Sequence, residues 1–247
     1  MTRHGADSWA RTTRGIESVL QRWRGPTVTP DLDAIASSAS YTTEDGREVP
    51  RTEQVSTRYG RLLHQLVSEY RPERMLEIGM ATGISAAYAA RARQCYAAER
   101  PSRQVIVDPF QTVVWAGGGR ALLDRLGLGT GVEVIEATSL LAVPRLEEAG
   151  DRFDFVFIDG NHCFDYVMAD LVMTDRVLDI GGMMVLDDGY SFGVRSAISY
   201  ASQHRPNLRR VLLDPPLLHW FRERTLKRRR FAVFQKVAHD ARGASAF

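Results

Sequence analysis

Four polar side chains follow two apolar runs of the sequence, and their types could bind a cation and move a proton. Asp159 and His162 follow one run, and Asp187 and Asp188 follow the next. If the two runs are neighbouring parallel strands, their carboxyl ends lie about 5 Å apart and the carboxylates converge. Such carboxylates repel one another, which a hard cation such as Mg²⁺ relieves. We therefore predict a metal site of Asp159, Asp187 and Asp188; alternatively, one or two of them cap loops and face water.

His162 stands three residues after Asp159, where a helix is predicted to begin. An imidazole with a pKa near neutrality can accept a proton when a cation has already acidified the substrate oxygen. We therefore predict that His162 is the general base and that His162 and Asp159 are the catalytic residues. The alternative is a surface or helix-capping histidine.

A second group of candidates lies at 75–90, where a short apolar run leads into two glycines and a helix-forming segment. Glycines let a ligand approach the backbone, and the helix start beyond them offers free N–H groups. The spacing Gly79-x-x-x-Gly83 differs from the G-x-G-x-x-G of dinucleotide folds. We predict a nucleotide-like cofactor bound by Glu77, Gly79, Thr82 and Gly83; a plain strand-to-helix turn is the alternative.

Three further residues are candidates for the same cofactor. Asp108 follows the next predicted strand, where a carboxylate can accept hydrogen bonds from both hydroxyls of a ribose. It could instead be a turn residue before Pro109. Ser139 follows the third strand and could contact an adenine ring or cap the next helix. Asp159, at the end of the fourth strand, is assigned to the cofactor as well as to the metal.

The elements that position these residues alternate between strands and helices. Apolar runs predict strands at 75–78, 105–107, 132–135, 153–158, 183–186, 211–213 and 231–234. Helices are predicted near 85–93, 119–126, 144–149, 164–177 and 194–204. Because continuous apolar strands separated by helices are typical of parallel sheets, we predict an α/β, doubly wound fold. Ligands of such sheets bind at the carboxyl ends of the strands, where the candidates stand.

The first fifty residues differ in pattern from the rest. Residues 8–24 have an amphipathic pattern that predicts a helix, and the polar stretch 27–50 predicts a loop or lid. A second helix is predicted at 52–69. We therefore divide the chain into an N-terminal helix and lid segment, 1–50, and a catalytic domain, 51–247. The first helix could pack on its own domain or on a partner, so the sequence is compatible with a homo-oligomer.

Bulk properties exclude several classes of function. The 247-residue chain has a net charge of +2, so nothing global indicates nucleic acid or an anionic membrane as a partner. Cys95 and Cys163 lack metal-like spacing and fit a reducing cytosol. The sequence shows no signal peptide and no run of about 18 apolar residues. We predict a cytoplasmic protein with a small-molecule substrate and no nucleic-acid or membrane partner.

The order of three motifs resembles that of the class I S-adenosylmethionine-dependent methyltransferases. The motifs are EIGMATG at 77–83, FIDGNH at 157–162 and GGMMVLDD at 181–188. The chain is most similar to the branch that contains catechol O-methyltransferase-like enzymes and the metal-dependent O-methyltransferases of antibiotic and macrolide-sugar pathways.

This resemblance implies a Rossmann-like, seven-stranded sheet with an antiparallel last strand. It also implies S-adenosylmethionine as cofactor and Mg²⁺ held by Asp159, Asp187 and Asp188. His162 matches the base of the sugar-modifying relatives, whereas the catechol-type relatives have lysine there. Asp187 stands where relatives often carry glutamate, so this chain departs from the pattern at one ligand.

We therefore expect a Mg²⁺-assisted O-methyltransferase that acts on a hydroxyl of a small molecule in natural-product biosynthesis. One alternative is a metal-independent N-methyltransferase whose acids orient an amine; another is a non-catalytic protein that kept the fold. A nucleic-acid methyltransferase is disfavoured because the fourth strand is not followed by an Asn/Asp-Pro-Pro-Tyr-like segment. The glycine spacing disfavours a nicotinamide dehydrogenase.

Overall fold

The computed structural model describes residues 30–52, 56–211 and 231–242. The helix predicted at 8–24 lies outside the described residues. The chain divides into two compact units, Met1–Ser139 and Leu140–Phe247. Among the described helices, none has the length and apolar character needed to cross a bilayer.

The first unit combines helices and a small hairpin with three parallel strands. In chain order its elements are α1 (Pro30–Ser37), β1 (Ser40–Thr42), β2 (Glu48–Pro50), α2 (Thr57–Tyr70), β3 (Arg74–Ile78), α3 (Ile84–Gln94), β4 (Arg103–Val107), α4 (Gly118–Arg125) and β5 (Val132–Ile135). The strand order is β5-β4-β3, and Leu76 lies opposite Val105. Almost every residue of β3 and β4 is buried, as expected for parallel strands covered on both faces.

Residues 30–50 form α1 and the antiparallel hairpin β1–β2, so the prediction of an irregular loop is wrong there. Leu32 is fully buried and packs in one cluster with Ile84 and Tyr88 of α3. Asp33 of α1 accepts hydrogen bonds from the Tyr88 hydroxyl (2.6 Å) and from Nε of Arg61 (2.9 Å). Burial of Leu32 and the hydrogen bonds of Asp33 hold α1 against α2 and α3, and the Ser40 and Thr42 hydroxyls donate to Glu48 across the hairpin.

Gly60 of α2 sets how closely that helix approaches α3. A Cβ at position 60 would meet the Tyr88 ring, with Cζ only 2.8 Å away, and Tyr88 is fully buried. We expect Gly60→Ala to lower the free energy of unfolding by about 1–3 kcal/mol, because overpacking a closed core forces side chains and backbone to shift. Thermal and urea unfolding would measure the change. Glu69→Ala, at an exposed site of the same helix, should stay within about 0.5 kcal/mol of wild type; equal stability of the two variants would contradict the packing argument.

The second unit contains four strands. Its elements are α5 (Ser139–Glu148), β6 (Phe153–Ile158), α6 (Phe164–Val177), β7 (Leu178–Leu186), α7 (Phe192–His204), β8 (Leu208–Val211) and β9 (Ala232–Lys236), with α5 beginning at the last residue of the first unit. The strand order is β6-β7-β9-β8; β6 and β7 are parallel, and β9 is antiparallel to both of its neighbours. Together with β3, β4 and β5 these strands make the seven-stranded, mostly parallel sheet that was predicted, and its last strand is antiparallel as expected.

Several element boundaries differ from the prediction, and three of the differences concern where an element begins or ends relative to a proline, a glycine pair or a run of arginines. Helix α5 begins at Ser139 and carries Pro144 inside it, although a proline is favoured in the first turn and predicted a later start. Strand β7 begins before the glycine pair at 181–182, which had suggested a turn. Strand β8 is described over Leu208–Val211, where two arginines hid its apolar pattern from the prediction, and residues 212–213 of the strand predicted at 211–213 lie outside the described residues.

Candidate active site

In the second unit, strands β6 and β7 bring their terminal polar residues together. Ile158 pairs with Leu186 in parallel register, so Asp159 leaves β6 at the level where Asp187 leaves β7. The backbone N–H of Asp187 still donates to the Ile158 carbonyl at 2.9 Å. This register fulfils the condition of neighbouring parallel strands on which the metal prediction depended.

Three side chains form a compact group at this point. One ligand atom each from Asp159, His162 and Asp188 lies within 4.8 Å of the others. His162 Nε2 is 3.1 Å from Asp188 Oδ2 and 3.7 Å from Asp159 Oδ1. Two carboxylates and an imidazole at this spacing could bind a divalent cation. The carboxylate oxygens are ligands that Mg²⁺ and Mn²⁺ prefer.

The surroundings of His162 favour its charged form. Its interaction with Asp159 raises the pKa of His162, the negative charge of Asp188 adds to this, and burial opposes them. The imidazole side chain is 41% exposed, whereas that of Asp188 is 7% exposed. His162 therefore stands at the open side of the group, within reach of both carboxylates.

Asp187 differs from its neighbours in what it contacts. It is buried, and its Oδ1 accepts from the backbone N–H of Asp188 at 2.6 Å. Asp188 has a left-handed backbone conformation, with φ of 52°, that costs about 1 kcal/mol for a residue other than glycine. The structure brings Asp159, His162 and Asp188 into one group, and it places Asp187 where its carboxylate supports the strained backbone of the next residue.

A shallow, partly open pocket lies beside this group. It is lined by Ile158, Asp159, Gly160, Asn161, His162, Val167, Leu186, Asp187 and Val194. The first turn of α7 closes tightly on the loop that carries His162: a Cβ at Gly193 would overlap the His162 carbonyl and lie 2.7 Å from the Phe164 nitrogen. Glycine at 193 is thus required for the loops after β6 and β7 to approach this closely.

Large exposed aromatic side chains follow the residues of this group closely along the chain. Phe164 follows His162 by two residues, and Tyr190 and Phe192 follow Asp188 closely; the three are 45%, 51% and 76% exposed. Exposed aromatic side chains near convergent polar groups are typical of ligand sites. Both segments that carry the polar group therefore also carry exposed aromatic side chains.

In the first unit, β3 leads into a glycine turn. Gly79 and Gly83 have φ values of 89° and 84°, and Ala81 between them also has a left-handed conformation, with φ of 47°. Gly83 is the N-cap of α3, and among the described residues no side chain caps that helix start. The free N–H groups of its first turn fit an anionic group such as the carboxylate of an amino-acid-like ligand. Thr82 in the same turn is buried.

Glu77 finds its partners inside the protein. It is fully buried; Oε1 accepts from the Ser85 hydroxyl at 2.6 Å, and Oε2 accepts from the Gln104 amide at 2.8 Å. A buried carboxylate is costly unless it has partners, and α3 and β4 supply two of them. Its assignment to the cofactor stays a prediction.

Asp108 holds the glycine turn. Its Oδ2 accepts from the backbone N–H groups of Met80 and Ala81, both at 2.8 Å, and its Oδ1 accepts from Phe110 N at 2.8 Å. The carboxylate that was predicted to bind ribose therefore also shapes the turn of the preceding strand. Ser139 is the first residue of α5 and is half-buried. Both cofactor assignments stay predictions.

Sequence reasoning missed the side chains that support the two carboxylates. Ser85 and Gln104 bond to Glu77, and Gln111 donates to the Ala81 carbonyl at 2.8 Å. Serine and glutamine carry no distinctive spacing in this sequence. The single available signal was polar residues within apolar segments, as with Gln104 in the buried strand β4.

The known proteins that are similar to this chain are methyltransferases. Residues 76–189 match a family described as a methyltransferase domain. The chain is 28% identical over 196 residues to a catechol O-methyltransferase from Mycobacterium tuberculosis (strain ATCC 25618 / H37Rv). That alignment covers 71% of this chain and 84% of the relative.

Solved structures with a similar fold include an O-methyltransferase from Bacillus cereus in complex with SAH. Its TM-score is 0.58 at 19% identity, with 91% of each chain covered. The O-methyltransferase TomG from Streptomyces achromogenes, involved in tomaymycin synthesis and solved with SAM, has a TM-score of 0.52 at 22% identity, with 74% of this chain and 82% of TomG covered. At these identities the likeness concerns the fold. The matched residues 76–189 include the glycine turn, the polar group and most of the strands that carry them, so this chain is a methyltransferase, and it is similar to the class I S-adenosylmethionine-dependent O-methyltransferases.

Proposed function

We propose that this chain moves the methyl group of S-adenosylmethionine to a hydroxyl oxygen of a small molecule, with a divalent cation held by Asp159 and Asp188. The observation that carries the proposal is the group of Asp159, His162 and Asp188, whose ligand atoms lie within 4.8 Å of one another in a methyltransferase. Asp187 belongs to the proposed metal site through its bond to the Asp188 backbone, which orients that ligand.

The residues of the group have separate tasks. A cation bound there supplies positive charge that lowers the pKa of an acceptor hydroxyl. Asp159 and Asp188 hold the imidazole of His162 in place through Nε2. With a bound cation offsetting the two carboxylate charges, the imidazole would be neutral, and its Nδ1 would take the acceptor's proton. The oxygen then displaces the sulfonium of S-adenosylmethionine, and much of the rate gain comes from orientation.

We propose an acceptor with a planar, apolar body and a hydroxyl at one edge. Support comes from Phe164, Tyr190 and Phe192, exposed aromatic side chains in the segments that carry the group, which offer apolar surface to such a body. The mycobacterial relative is a catechol O-methyltransferase, and TomG takes part in tomaymycin synthesis. These names support the predicted role in natural-product biosynthesis as part of the same proposal.

A matched pair of acceptors tests the proposal. The protein is incubated with S-adenosylmethionine, Mg²⁺ and either catechol or ortho-phenylenediamine, which share a shape but offer oxygen or nitrogen, and products are identified by mass spectrometry. We expect methyl transfer to catechol at least tenfold faster than to the diamine. Faster methylation of the diamine, with no dependence on Mg²⁺, would favour the N-methyltransferase alternative, since an amine needs no cation to acidify it.

A further inference from the structure

The loop between β4 and α4 contains a wholly buried polar side chain with no part in the proposed chemistry. Gln111 is 0% exposed, although its neighbours Thr112 and Val113 are exposed. Burying an amide side chain is unfavourable unless it makes hydrogen bonds. The contacts of Gln111 therefore indicate what the position requires.

Gln111 contacts the glycine turn directly. Its side-chain Nε2 donates to the Ala81 carbonyl at 2.8 Å. The backbone carbonyl of Gln111 accepts from the Gly117 N–H at 2.7 Å. The side-chain oxygen occupies space that only a glycine at 119 leaves open: a Cβ there would lie 2.7 Å from Gln111 Oε1 and 2.9 Å from the Ala81 carbonyl. Gln111 is thus enclosed between the turn and the start of α4.

The run of glycines at 117–119 has a packing role that the sequence did not reveal. A Cβ at Gly118 would lie 2.6 Å from the ring of Tyr41, and one at Gly117 would lie 2.6 Å from Glu44 Cβ. The Glu44 backbone N–H donates to the Ala116 carbonyl at 2.9 Å. Tyr41 and Glu44, in and after strand β1, therefore pack against the loop that contains Gln111, which in turn contacts the glycine turn.

Two residues after β4 together fix three consecutive peptide groups of the turn. Asp108 accepts from the N–H groups of Met80 and Ala81, which orients the peptides 79–80 and 80–81. Gln111 holds the carbonyl of Ala81, which orients the peptide 81–82. Without Gln111, the left-handed conformation of Ala81 loses the bond that holds its following peptide in place.

We propose that Gln111 is a positioning residue for the cofactor: it holds the Ala81–Thr82 peptide of the glycine turn in the orientation that S-adenosylmethionine requires. This inference rests on the proposed function only in taking S-adenosylmethionine as the ligand of the turn. A turn held in its binding conformation loses less conformational freedom when the ligand binds, so the effect falls on affinity. The chemical step involves other residues and should be spared.

The test compares Gln111→Met with Gln94→Met. Methionine keeps the length of the side chain and removes the amide, and Gln94 is an exposed glutamine that also donates to a backbone carbonyl, that of Gly127. S-adenosylhomocysteine binding is measured by calorimetry, and kcat is measured at saturating S-adenosylmethionine. Since one net hydrogen bond corresponds to a factor of about 3 to 10 in affinity, we expect Gln111→Met to bind several-fold more weakly with kcat within about twofold, and Gln94→Met to match wild type.

Gly119→Ala provides a second route to the same contact, because its Cβ would push on the Gln111 amide oxygen and the Ala81 carbonyl. It should weaken S-adenosylhomocysteine binding in the same direction, and it decides the matter if Gln111→Met does not fold. Wild-type affinity in either folded variant, or a lowered melting temperature with unchanged affinity, would overturn the positioning role and leave the proposed function intact. Wild-type protein that fails to bind S-adenosylhomocysteine would overturn both.

Discussion

Replacing His162 with alanine should lower kcat by a factor of about 10² to 10⁴, the usual contribution of a positioned general base. Binding of S-adenosylhomocysteine should stay within about twofold, because His162 makes none of the hydrogen bonds that hold the glycine turn. Steady-state assays with catechol, at saturating S-adenosylmethionine and Mg²⁺, would measure the decrease in kcat.

His239→Ala is a suitable control, since His239 is exposed and lies far along the chain from the polar group. Raising the Mg²⁺ concentration separates the two roles open to His162. A histidine that serves only as a metal ligand leaves a variant whose kcat recovers at high Mg²⁺, whereas loss of a base leaves kcat low at every concentration. Recovery to the wild-type value, or unchanged kcat, would remove the base assignment.

Asp159→Asn should reduce kcat/KM with catechol by more than about 100-fold, because a cation contributes several kcal/mol to such a reaction and each tenfold factor is about 1.4 kcal/mol. The substitution keeps the shape of the side chain and removes one of the negative charges that lie together after β6 and β7. The loss of repulsion should leave the melting temperature equal or slightly higher, since strained or crowded charges at active sites cost stability.

Asp165→Asn is the matched control for this substitution. Asp165 is an exposed carboxylate in the first turn of α6, six positions along the same segment. It should leave kcat/KM within about twofold of wild type. If Asp159→Asn is as active as Asp165→Asn, the carboxylate group after β6 has no catalytic role.

Much of the sheet could be predicted because burial on both faces leaves a strong sequence pattern. Strand β6 is an almost continuous apolar run, and both of its ends were predicted correctly. The parallel pairing of β6 with β7 then brought Asp159 and Asp188 together, since adjacent strands end at the same edge. His162 followed from its spacing to Asp159.

The segment 30–50 could not be predicted because its structure depends on distant residues. Helix α1 has only eight residues, begins at a proline and has few apolar positions. Its stability comes from Leu32 in the core and from Asp33, whose partners Arg61 and Tyr88 lie 28 and 55 residues away. Short helices are marginal without such tertiary contacts.

The partners of the buried carboxylates were also hidden from the sequence. Glu77 and Asp108 stand at strand ends, where a ligand and a protein hydrogen bond are equally plausible from position alone. The structure shows bonds from Ser85 and Gln104 to Glu77, and from the turn backbone to Asp108. Gln111 completes this support, and no spacing rule distinguishes it from an exposed loop glutamine.

The dependence of turnover on a divalent cation tests the central proposal most directly. Wild-type protein is dialysed exhaustively against EDTA, assayed with S-adenosylmethionine and catechol, and then titrated with Mg²⁺. The account predicts turnover reduced by more than about 100-fold after chelation and restored by Mg²⁺ in wild type but not in Asp159→Asn. Full turnover of the chelated wild-type protein would contradict it.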